Sequence, residues 1–297
     1  MTNSLIQGLI IKGIGGFYYV ETANGLLECK ARGAFRKEKI TPMAGDRVLV
    51  NEVEHTIDEI LPRTSALQRP PVANIDRLFI VISATQPRPN TLLVDRLTAI
   101  AVKNNIEPII VLNKTDLENV DELVDIYSKT KFTLIRACGK TGEGVDEIRN
   151  ELKGHISAFT GNTGVGKSTL LNRINPELNL ETSEISQKLG RGKHTTREST
   201  LIKLDDNTYV ADTPGFASIE ALADQIILKD DLDLYFPEFE DFLPECKFYP
   251  HCSHVKDKGC RIRELAEEDK EISISRYNNY VKLYQEVENV KEWQLKV

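Results

Sequence analysis

The chain has 297 residues, 40% of them hydrophobic, which is enough for two or three domains with packed cores. Its net charge of −7 argues against unaided, non-specific binding to nucleic acid, so any RNA contact must come from a local patch. No apolar run approaches the length of a membrane span, and the start of the chain lacks the basic and apolar segments of a signal peptide. We therefore expect a cytoplasmic protein that does not bind membranes.

Residues 1–68 predict a small β-barrel, with the OB-fold as the leading candidate. Apolar and polar positions alternate between turn signals such as Asn24-Gly25, and this alternation is typical of short strands. The predicted strands are Leu5–Ile11, Phe17–Glu21, Leu26–Ala31, Asp46–Val50 and Thr56–Ile60.

A basic loop lies between the third and fourth predicted strands, over residues 30–39. Its lysines and arginines could contact RNA phosphates, and Phe35 would be available to stack on a base. An ordinary solvated hairpin loop explains the same composition equally well. RNA binding by this loop is therefore one of two open interpretations.

Residues 69–222 predict an α/β domain. Arg69-Pro70-Pro71 disfavours regular structure and marks its boundary. Leu78–Ser83 and Pro108–Leu112 then predict buried strands, with a helix between them over Leu92–Lys103. Strands that alternate with helices favour a mostly parallel sheet covered on both faces, which binds ligands at the carboxyl ends of its strands.

The second of these strands leads directly into Asn113-Lys114-Thr115-Asp116, the Asn-Lys-x-Asp pattern by which GTPases recognise guanine. The carboxylate of Asp116 can accept hydrogen bonds from N1–H and the 2-amino group of guanine, whereas adenine offers neither donor. Asn113 would support the loop, and the stem of Lys114 would cover the ring. Taken alone, the four residues could instead form a turn in which Asp116 caps a helix.

Residues Cys138–Gly144 resemble the loop that supports the guanine in such proteins, usually written Ser-Ala-Lys. Cys138 and Gly139 depart from that pattern. Because the loop contacts the base mainly through its backbone, we expect the departure to be tolerated. No cysteine or histidine close in sequence supports a metal site at Cys138.

A phosphate-binding loop is predicted from the pattern G-x-x-x-x-G-K-[ST]. A predicted strand, His155–Phe159, precedes it and a predicted helix, Ser168–Arg173, follows, so backbone N–H groups would converge on phosphates. Lys167 would reach the β- and γ-phosphates and the Ser168 hydroxyl would ligate Mg²⁺. A glycine-rich turn with a surface lysine is the weaker alternative. The predicted contacts with the nucleotide are Gly161, Asn162, Thr163, Gly164, Val165, Gly166, Lys167, Ser168 and Thr169.

A switch segment is predicted after this loop, because residues 178–192 are polar and irregular. A threonine just beyond it could ligate Mg²⁺ only when a γ-phosphate is bound. Thr196 is the first choice for that role and Thr195 the second.

A predicted hairpin, Leu201–Leu204 and Tyr209–Ala211, then delivers Asp212-Thr-Pro-Gly215. Asp212 would hold Mg²⁺ through water, and the N–H of Gly215 would reach the γ-phosphate. Phe216 stands where many GTPases have a glutamine that orients water, so intrinsic hydrolysis should be slow. His194 is the best internal candidate for a catalytic residue, although it could equally be a loop residue that contacts RNA or solvent.

The order of the motifs predicts a circularly permuted GTPase, because Asn113 precedes Gly161. The same strands can still assemble when chain ends lie close together. The strand that carries Asp212 then ends the domain, so we expect the nucleotide state to be transmitted to residues 223–297.

Residues 223–297 predict a helical module with a structural zinc site. Cysteines and histidines crowd between residues 246 and 260, which in a reducing compartment favours metal binding over disulfides. Three thiolates and one imidazole suit closed tetrahedral Zn²⁺ coordination. The predicted ligands are Cys246, Cys252, His254 and Cys260, with His251 in reserve. Ile262–Glu268 and Ser275–Glu288 predict helices.

With a barrel, a permuted GTPase domain and a zinc module together, the chain resembles the small ribosomal subunit biogenesis GTPase family, RsgA (also called YjeQ). The resemblance rests on Gly45-Asp46, Arg69-Pro70, Asn113–Asp116, Gly161–Ser168, Gly190–Thr196, Asp212–Gly215, the zinc cluster and Arg276–Tyr280. The spacing between Cys246 and Cys252 is one residue longer than usual in the family, which keeps His251 as a possible ligand.

The resemblance implies a late assembly factor of the 30S subunit, whose GTPase is stimulated by that subunit and whose barrel and zinc module contact 16S rRNA. We expect a monomer that uses GTP, GDP, Mg²⁺ and one Zn²⁺. A GTP-regulated RNA-binding scaffold, in which hydrolysis is incidental, is the alternative. A permuted GTPase that acts on the large subunit is a weaker one.

Overall fold

The structure is a computed structural model that describes residues 5–33, 35, 40–68, 71–178, 180, 199–212 and 227–290. Within these ranges it contains no helix that is both long enough and apolar enough to cross a lipid bilayer.

Five strands form the closed N-terminal barrel: β1 (Leu5–Ile14), β2 (Phe17–Thr22), β3 (Gly25–Ala31), β4 (Arg47–Asn51) and β5 (Thr56–Ile60). Strand β1 pairs with both β2 and β4, and β5 joins β3 to β4, which closes the ring. All five predicted strands are confirmed. Inward-facing residues such as Ile10, Val20 and Ile57 fill the barrel.

The expectation that Phe35 is available for stacking on RNA was wrong. Its side chain is 8% exposed and packs into the barrel core. Burying this ring among apolar side chains stabilises the fold more than leaving it exposed to solvent would. Any contact between the basic loop and RNA must therefore use other groups.

A short hairpin, β6 (Ala66–Gln68) and β7 (Pro71–Ala73), lies where the sequence predicted irregular structure. Pro71 opens the second strand, so that expectation was wrong for this residue. The hairpin lies against the barrel turn at Gly45, whose φ is +89° and where a Cβ would stand 1.9 Å from the Ala73 carbonyl oxygen. Only glycine permits that approach.

A sheet of six strands forms the centre of the GTPase domain: β8 (Arg77–Ser83), β9 (Glu107–Asn113), β10 (Thr133–Ala137), β11 (Ile156–Thr160), β12 (Thr200–Asp205) and β13 (Thr208–Asp212). Their order is β10-β9-β8-β11-β13-β12, and only the edge strand β12 is antiparallel to its neighbour. The predicted hairpin β12–β13 and the predicted strands β8, β9 and β11 are confirmed. The strand β10 was not predicted.

Both faces of this sheet are buried, as a parallel sheet requires. Along β8, Leu78 and Ile80 belong to one hydrophobic cluster and Phe79 and Val81 to another. Within the described residues, four helices cover the faces: α1 (Thr91–Lys103), α2 (Asp121–Ser128), α3 (Val145–Leu152) and α4 (Lys167–Ile174). The barrel extends the same sheet, because β1 pairs with β12 at Lys12 and Thr200.

The part of the C-terminal module that the structure describes, residues 227–290, contains three short 3₁₀ segments, Lys229–Tyr235, Pro237–Phe239 and Leu243–Glu245, and two helices, α5 (Arg261–Glu268) and α6 (Ile274–Val287). Both helices were predicted. Their apolar residues share one core with Ala99 and Ile100 of α1. The division of the chain after residues 68 and 222 remains a proposal.

Candidate nucleotide-binding and metal sites

The predicted phosphate loop connects β11 to α4, at the carboxyl end of the parallel strands. Two of its glycines make close approaches that a side chain would prevent. At Gly161, with φ +147°, a Cβ would stand 2.3 Å from the Val81 carbonyl oxygen. At Gly166, with φ +97°, a Cβ would stand 2.3 Å from Asn113 Nδ2. The loop is therefore held against the two neighbouring strands, β8 and β9.

Asn113 joins three loops through one buried amide. Its side chain, in a residue that is 1% exposed, donates from Nδ2 to the Val165 carbonyl oxygen at 2.8 Å. Its Oδ1 accepts from the backbone N–H of Gly139 at 3.1 Å. The proposed base-recognition loop (residues 113–116), the phosphate loop and the loop after β10 are thus fixed relative to one another.

An open cleft lies beside this junction. Asp116 and Cys138 both line it, and the Cys138 sulfur lies 3.1 Å from Asp116 Oδ1. Lys114 has a φ of +65°, and its Nζ donates to the Gln86 carbonyl oxygen at 2.7 Å. The cleft is lined by Asn113, Lys114, Asp116, Leu117, Cys138, Gly139, Lys140, Gly166 and Thr169. At this cleft, the two carboxylate oxygens of Asp116 could accept hydrogen bonds from two neighbouring donors of a planar base.

Thr115, within the same motif, supports the loop and does not line the cleft. Its hydroxyl donates to the Ala137 carbonyl oxygen at 3.2 Å, at the end of β10. This bond ties the base-recognition loop to the neighbouring strand.

Lys167 folds back over the phosphate loop. Its Nζ donates to the carbonyl oxygens of Gly161 at 2.6 Å and Asn162 at 3.1 Å. Burial lowers the pKa of Lys167 to about 8, because the desolvated ammonium has no anionic partner among the described residues. A bound phosphate would supply that partner, so the geometry fits the predicted contact.

The predicted Mg²⁺ ligands are described only in part. Ser168 lies in the first turn of α4, and Asp212 is the last residue of β13. Because β13 runs parallel to β11, with Ala211 opposite Ala158, Asp212 lies beside the strand that enters the phosphate loop. His194, Thr195, Thr196, Gly215 and Phe216 lie outside the described residues.

The Cys/His cluster brings together the four predicted zinc ligands. Their ligand atoms all lie within 4.8 Å of one another, and all four residues are buried. His254 Nδ1 is 3.6 Å from Cys246 Sγ and 3.4 Å from Cys260 Sγ. Ligands about 2.3 Å from a tetrahedral Zn²⁺ stand roughly 3.5–4 Å apart, so this set fits the ion.

His251 does not belong to the cluster. It is exposed, whereas His254 is 2% exposed and also faces Asp233, with 3.6 Å between His254 Nε2 and Asp233 Oδ2. A carboxylate behind a histidine fixes which nitrogen faces a metal. The Tyr277 hydroxyl donates to the His254 carbonyl oxygen at 2.8 Å and fixes the backbone as well.

Comparisons with known proteins cover nearly the whole chain. The family model for the RsgA GTPase matches residues 60–222, and the model for the RsgA N-terminal domain matches residues 7–57. The chain belongs to the RsgA GTPase family. Members of the family are hydrolases that act on GTP, so membership implies GTP, GDP and Mg²⁺ as ligands.

Two relatives are named small ribosomal subunit biogenesis GTPase RsgA. The protein from Caldanaerobacter subterraneus subsp. tengcongensis is 44% identical, with 95% of this chain and 96% of the relative covered. The protein from Ruminiclostridium cellulolyticum is 42% identical, with 96% and 95% covered.

Two solved structures share the fold. YjeQ from Thermotoga maritima superposes with a TM-score of 0.82 at 34% identity, covering 97% of this chain and all of that one. YloQ, described as a circularly permuted GTPase, superposes with a TM-score of 0.78 at 32% identity, covering 97% of this chain and 96% of that one. The permuted architecture predicted from the motif order is thereby confirmed.

Sequence reasoning gave Asn113 a supporting role but did not predict the contacts that connect the motifs. The bond from Asn113 to Val165 spans 52 residues, and the bond from Cys138 to Asp116 spans 22. No local spacing encodes either contact. The departure of Cys138 from the usual pattern was visible, but its proximity to Asp116 required the fold.

Proposed function

We propose that this protein is a GTPase that acts in late maturation of the 30S ribosomal subunit and is stimulated by that subunit. One observation carries the proposal: Asn113 joins the guanine-recognition and phosphate loops into one cleft. The names of its relatives supply the small ribosomal subunit as the partner. For a bacterial protein that role implies the cytoplasm.

The residues of the cleft have distinct roles in this proposal. Asp116 accepts from guanine N1–H and the 2-amino group, and Lys167 neutralises the β- and γ-phosphates. The phosphate loop supplies backbone N–H groups from Gly161 to Thr169. Ser168, Asp212 and Thr196, with Thr195 as the alternative, would hold Mg²⁺, and Gly215 would donate its N–H to the γ-phosphate.

Hydrolysis needs a group that orients the attacking water, and Phe216 cannot do so. We assign that role to His194, in the segment between α4 and β12. Binding to the small subunit would place His194 near the γ-phosphate, which explains why turnover should depend on the ribosome.

The flanking modules provide the contacts with 16S rRNA in this proposal. The C-terminal module would hold one structural Zn²⁺ through Cys246, Cys252, His254 and Cys260, a donor set whose spacing fits the ion. We further propose that the protein acts as a monomer.

The proposal is tested by measuring GTP hydrolysis of the purified full-length chain alone, with 30S subunits and with 50S subunits. We expect strong stimulation by 30S subunits alone. The His194→Ala variant should bind GDP as the unmodified protein does and should lose the stimulation. Equal rates with 30S and 50S subunits would contradict the proposed partner.

Phe216 also favours a second function, an RNA-binding scaffold in which GTP sets affinity and hydrolysis is incidental. In that case 30S binding would depend on the bound nucleotide, but 30S subunits would not raise the hydrolysis rate. The same experiment, with co-sedimentation of the protein and the subunits, separates the two functions.

A further inference from the structure

The loop between β8 and α1, residues 84–90, places an arginine beside the phosphate loop. Arg88 is exposed, and it lines the crevice between β8, α1 and the phosphate loop together with Gly161 and Asn162. Among the described residues it has no ion-pair partner. Its charge can therefore be neutralised by an anion bound at the phosphate loop.

Hydrogen bonds hold both ends of the loop that carries Arg88. Near its start, the Gln86 carbonyl oxygen accepts from Lys114 Nζ at 2.7 Å and from the Ser83 hydroxyl at 3.0 Å. At its end, Asn90 Oδ1 accepts from the N–H of Leu93 at 3.3 Å, in the first turn of α1. The loop is thus tied to the proposed base-recognition loop on one side and to a helix on the other.

Two prolines restrict the backbone around Arg88. The ring of Pro89 disfavours a helical conformation in the residue before it, so Arg88 is restricted to extended backbone. Pro87 fixes its own φ, and its Cδ lies 3.8 Å from the position that a Cβ on Gly164 would take. Arg88 therefore starts from a constrained position beside the phosphate loop, and little backbone entropy remains to be lost when it binds a ligand.

The position of Lys167 indicates which phosphates this part of the loop would meet. Lys167 Nζ lies at the carbonyl oxygens of Gly161 and Asn162, and the lysine of this motif reaches the β- and γ-phosphates. Arg88 lines the crevice beside the same two residues. A guanidinium presents its N–H donors in a planar fork that matches the oxygens of a phosphate. Arg88 is thus a second cation at the β/γ end of the proposed nucleotide site.

We propose that Arg88 binds the γ-phosphate of GTP and thereby raises the affinity of the protein for GTP relative to GDP. The γ-phosphate is the outermost group of the nucleotide, so an exposed side chain at the rim can reach it, whereas Lys167 acts from within the loop. This inference rests on the proposed function, because it requires the cleft to bind a guanine nucleotide. The role differs from that of His194, since Arg88 neutralises charge and His194 orients the attacking water.

The test compares Arg88→Ala with the unmodified full-length protein by calorimetric titration in the presence of Mg²⁺, with GDP and with the non-hydrolysable GTP analogue GMPPNP. We expect Arg88→Ala to weaken binding of the analogue about tenfold, as for a lost hydrogen bond to a charged group, and to leave GDP binding unchanged. Unchanged GDP binding would also show that the loop and the cleft are folded. Arg47→Ala removes an exposed arginine on β4 of the barrel; it is the matched control and should alter neither affinity.

Three outcomes would overturn the role of Arg88. The first is an unchanged affinity of Arg88→Ala for the analogue. The second is an equal loss of GDP and analogue binding, which would mean contact with the inner phosphates or damage to the loop. The third is an equal effect of Arg47→Ala, which would mean that only the total charge matters. If the unmodified protein prefers GDP to ADP, these outcomes leave the proposed function intact; without that preference the proposed function itself fails, and the inference with it.

Discussion

The C-terminal module and the N-terminal barrel are attached to the GTPase domain by interfaces of opposite character. At the C-terminal interface, Arg276 of α6 meets Asp95 of α1 and Glu238, and the three side chains are 1%, 0% and 3% exposed. Arg276 Nη1 donates to Asp95 Oδ1 at 2.7 Å, and Asn279 donates to Asp95 Oδ2 at 2.7 Å. All three charged side chains are therefore almost fully buried.

Where the barrel meets the β12–β13 hairpin, the polar side-chain contacts are partly solvated. Glu21 of β2 accepts from Lys203 at 2.7 Å and from the Tyr209 hydroxyl at 2.9 Å. The side chains of Glu21 and Lys203 are 27% and 44% exposed. Both partners lie on the β12–β13 hairpin, which joins the two segments proposed to sense the γ-phosphate.

The difference shows which attachment is rigid and which can adjust. Breaking a buried ion pair leaves an uncompensated charge without water, whereas water can replace a partner at a partly exposed site. The C-terminal module is therefore attached to α1 by a buried network and a shared apolar core. The contact of Glu21 with the β12–β13 hairpin, here called the barrel joint, is less costly to rearrange. This hairpin joins the two proposed switch segments, so a nucleotide-dependent movement of those segments would act on it first.

The largest effect is expected from the Cys/His cluster, because the proposed Zn²⁺ would hold the C-terminal module in the shape that presents Arg276. Cys260→Ser should abolish metal binding and make the module sensitive to proteases, since structural zinc contributes about 10–16 kcal/mol of apparent binding energy in small domains. Metal analysis of the purified variant measures the loss of zinc, and limited proteolysis measures the sensitivity of the module.

His251→Ala is the matched control, since this exposed histidine lies next to Cys252 but outside the cluster. It should keep one zinc per chain. Loss of zinc in His251→Ala, with zinc kept in His254→Ala, would show that the ligand set is wrong.

A smaller effect is expected at the buried network. Arg276→Met should lower the free energy of unfolding by about 3–5 kcal/mol, because Asp95 and Glu238 would remain buried without their counter-charge. Chemical denaturation of the two proteins measures the loss. A cost below about 1 kcal/mol, the range of exposed pairs, would remove the contrast between the interfaces.

The same variant should show a characteristic pH dependence. Burial raises the pKa of Asp95, while Arg276 acts in the opposite direction. An aspartate with a raised pKa in the folded state destabilises the fold as the pH rises through that pKa and the group ionises. The cost of Arg276→Met should therefore shrink as the pH falls from about 8 to about 5.

The unmodified protein must be measured at each pH, so that pH effects common to both proteins cancel in the difference. Arg276→Met with Asp95→Asn is a second check, since the neutral amide does not ionise. A cost that stays constant with pH in Arg276→Met would show that Asp95 is not the group left uncompensated.

The sequence predicted the barrel and the motif-bearing strands well because their signals are local. Alternation between turns such as Asn24-Gly25 defines the strands whatever packs against them. Phe35 was assigned wrongly for the opposite reason: its neighbours in sequence are basic, but the barrel core around it comes from distant strands. The hairpin at Pro71 was missed because its position depends on the approach of Gly45.

The candidate site shows the same division. The motifs at Asn113–Asp116 and Gly161–Ser168 are short patterns with one chemical purpose, so they could be found without a fold. The spacing between cysteines could not decide between His251 and His254, because both lie within reach along the chain. Burial and the approach of Asp233 distinguish them.

The smallest effect is expected at the barrel joint. Tyr209→Phe removes the hydroxyl that donates to Glu21 and leaves the ring in its apolar surroundings. The expected cost is about 0.5–1.5 kcal/mol, because water can take the place of the lost donor at a partly exposed carboxylate. Chemical denaturation of Tyr209→Phe and Arg276→Met, each against the unmodified protein, measures the ratio of their losses in unfolding free energy. Zinc content should be unchanged in both variants. If Tyr209→Phe costs as much as Arg276→Met, the barrel is as firmly attached as the C-terminal module. A joint of that strength would not adjust when the hairpin moves, and the route from nucleotide to barrel would have to pass elsewhere.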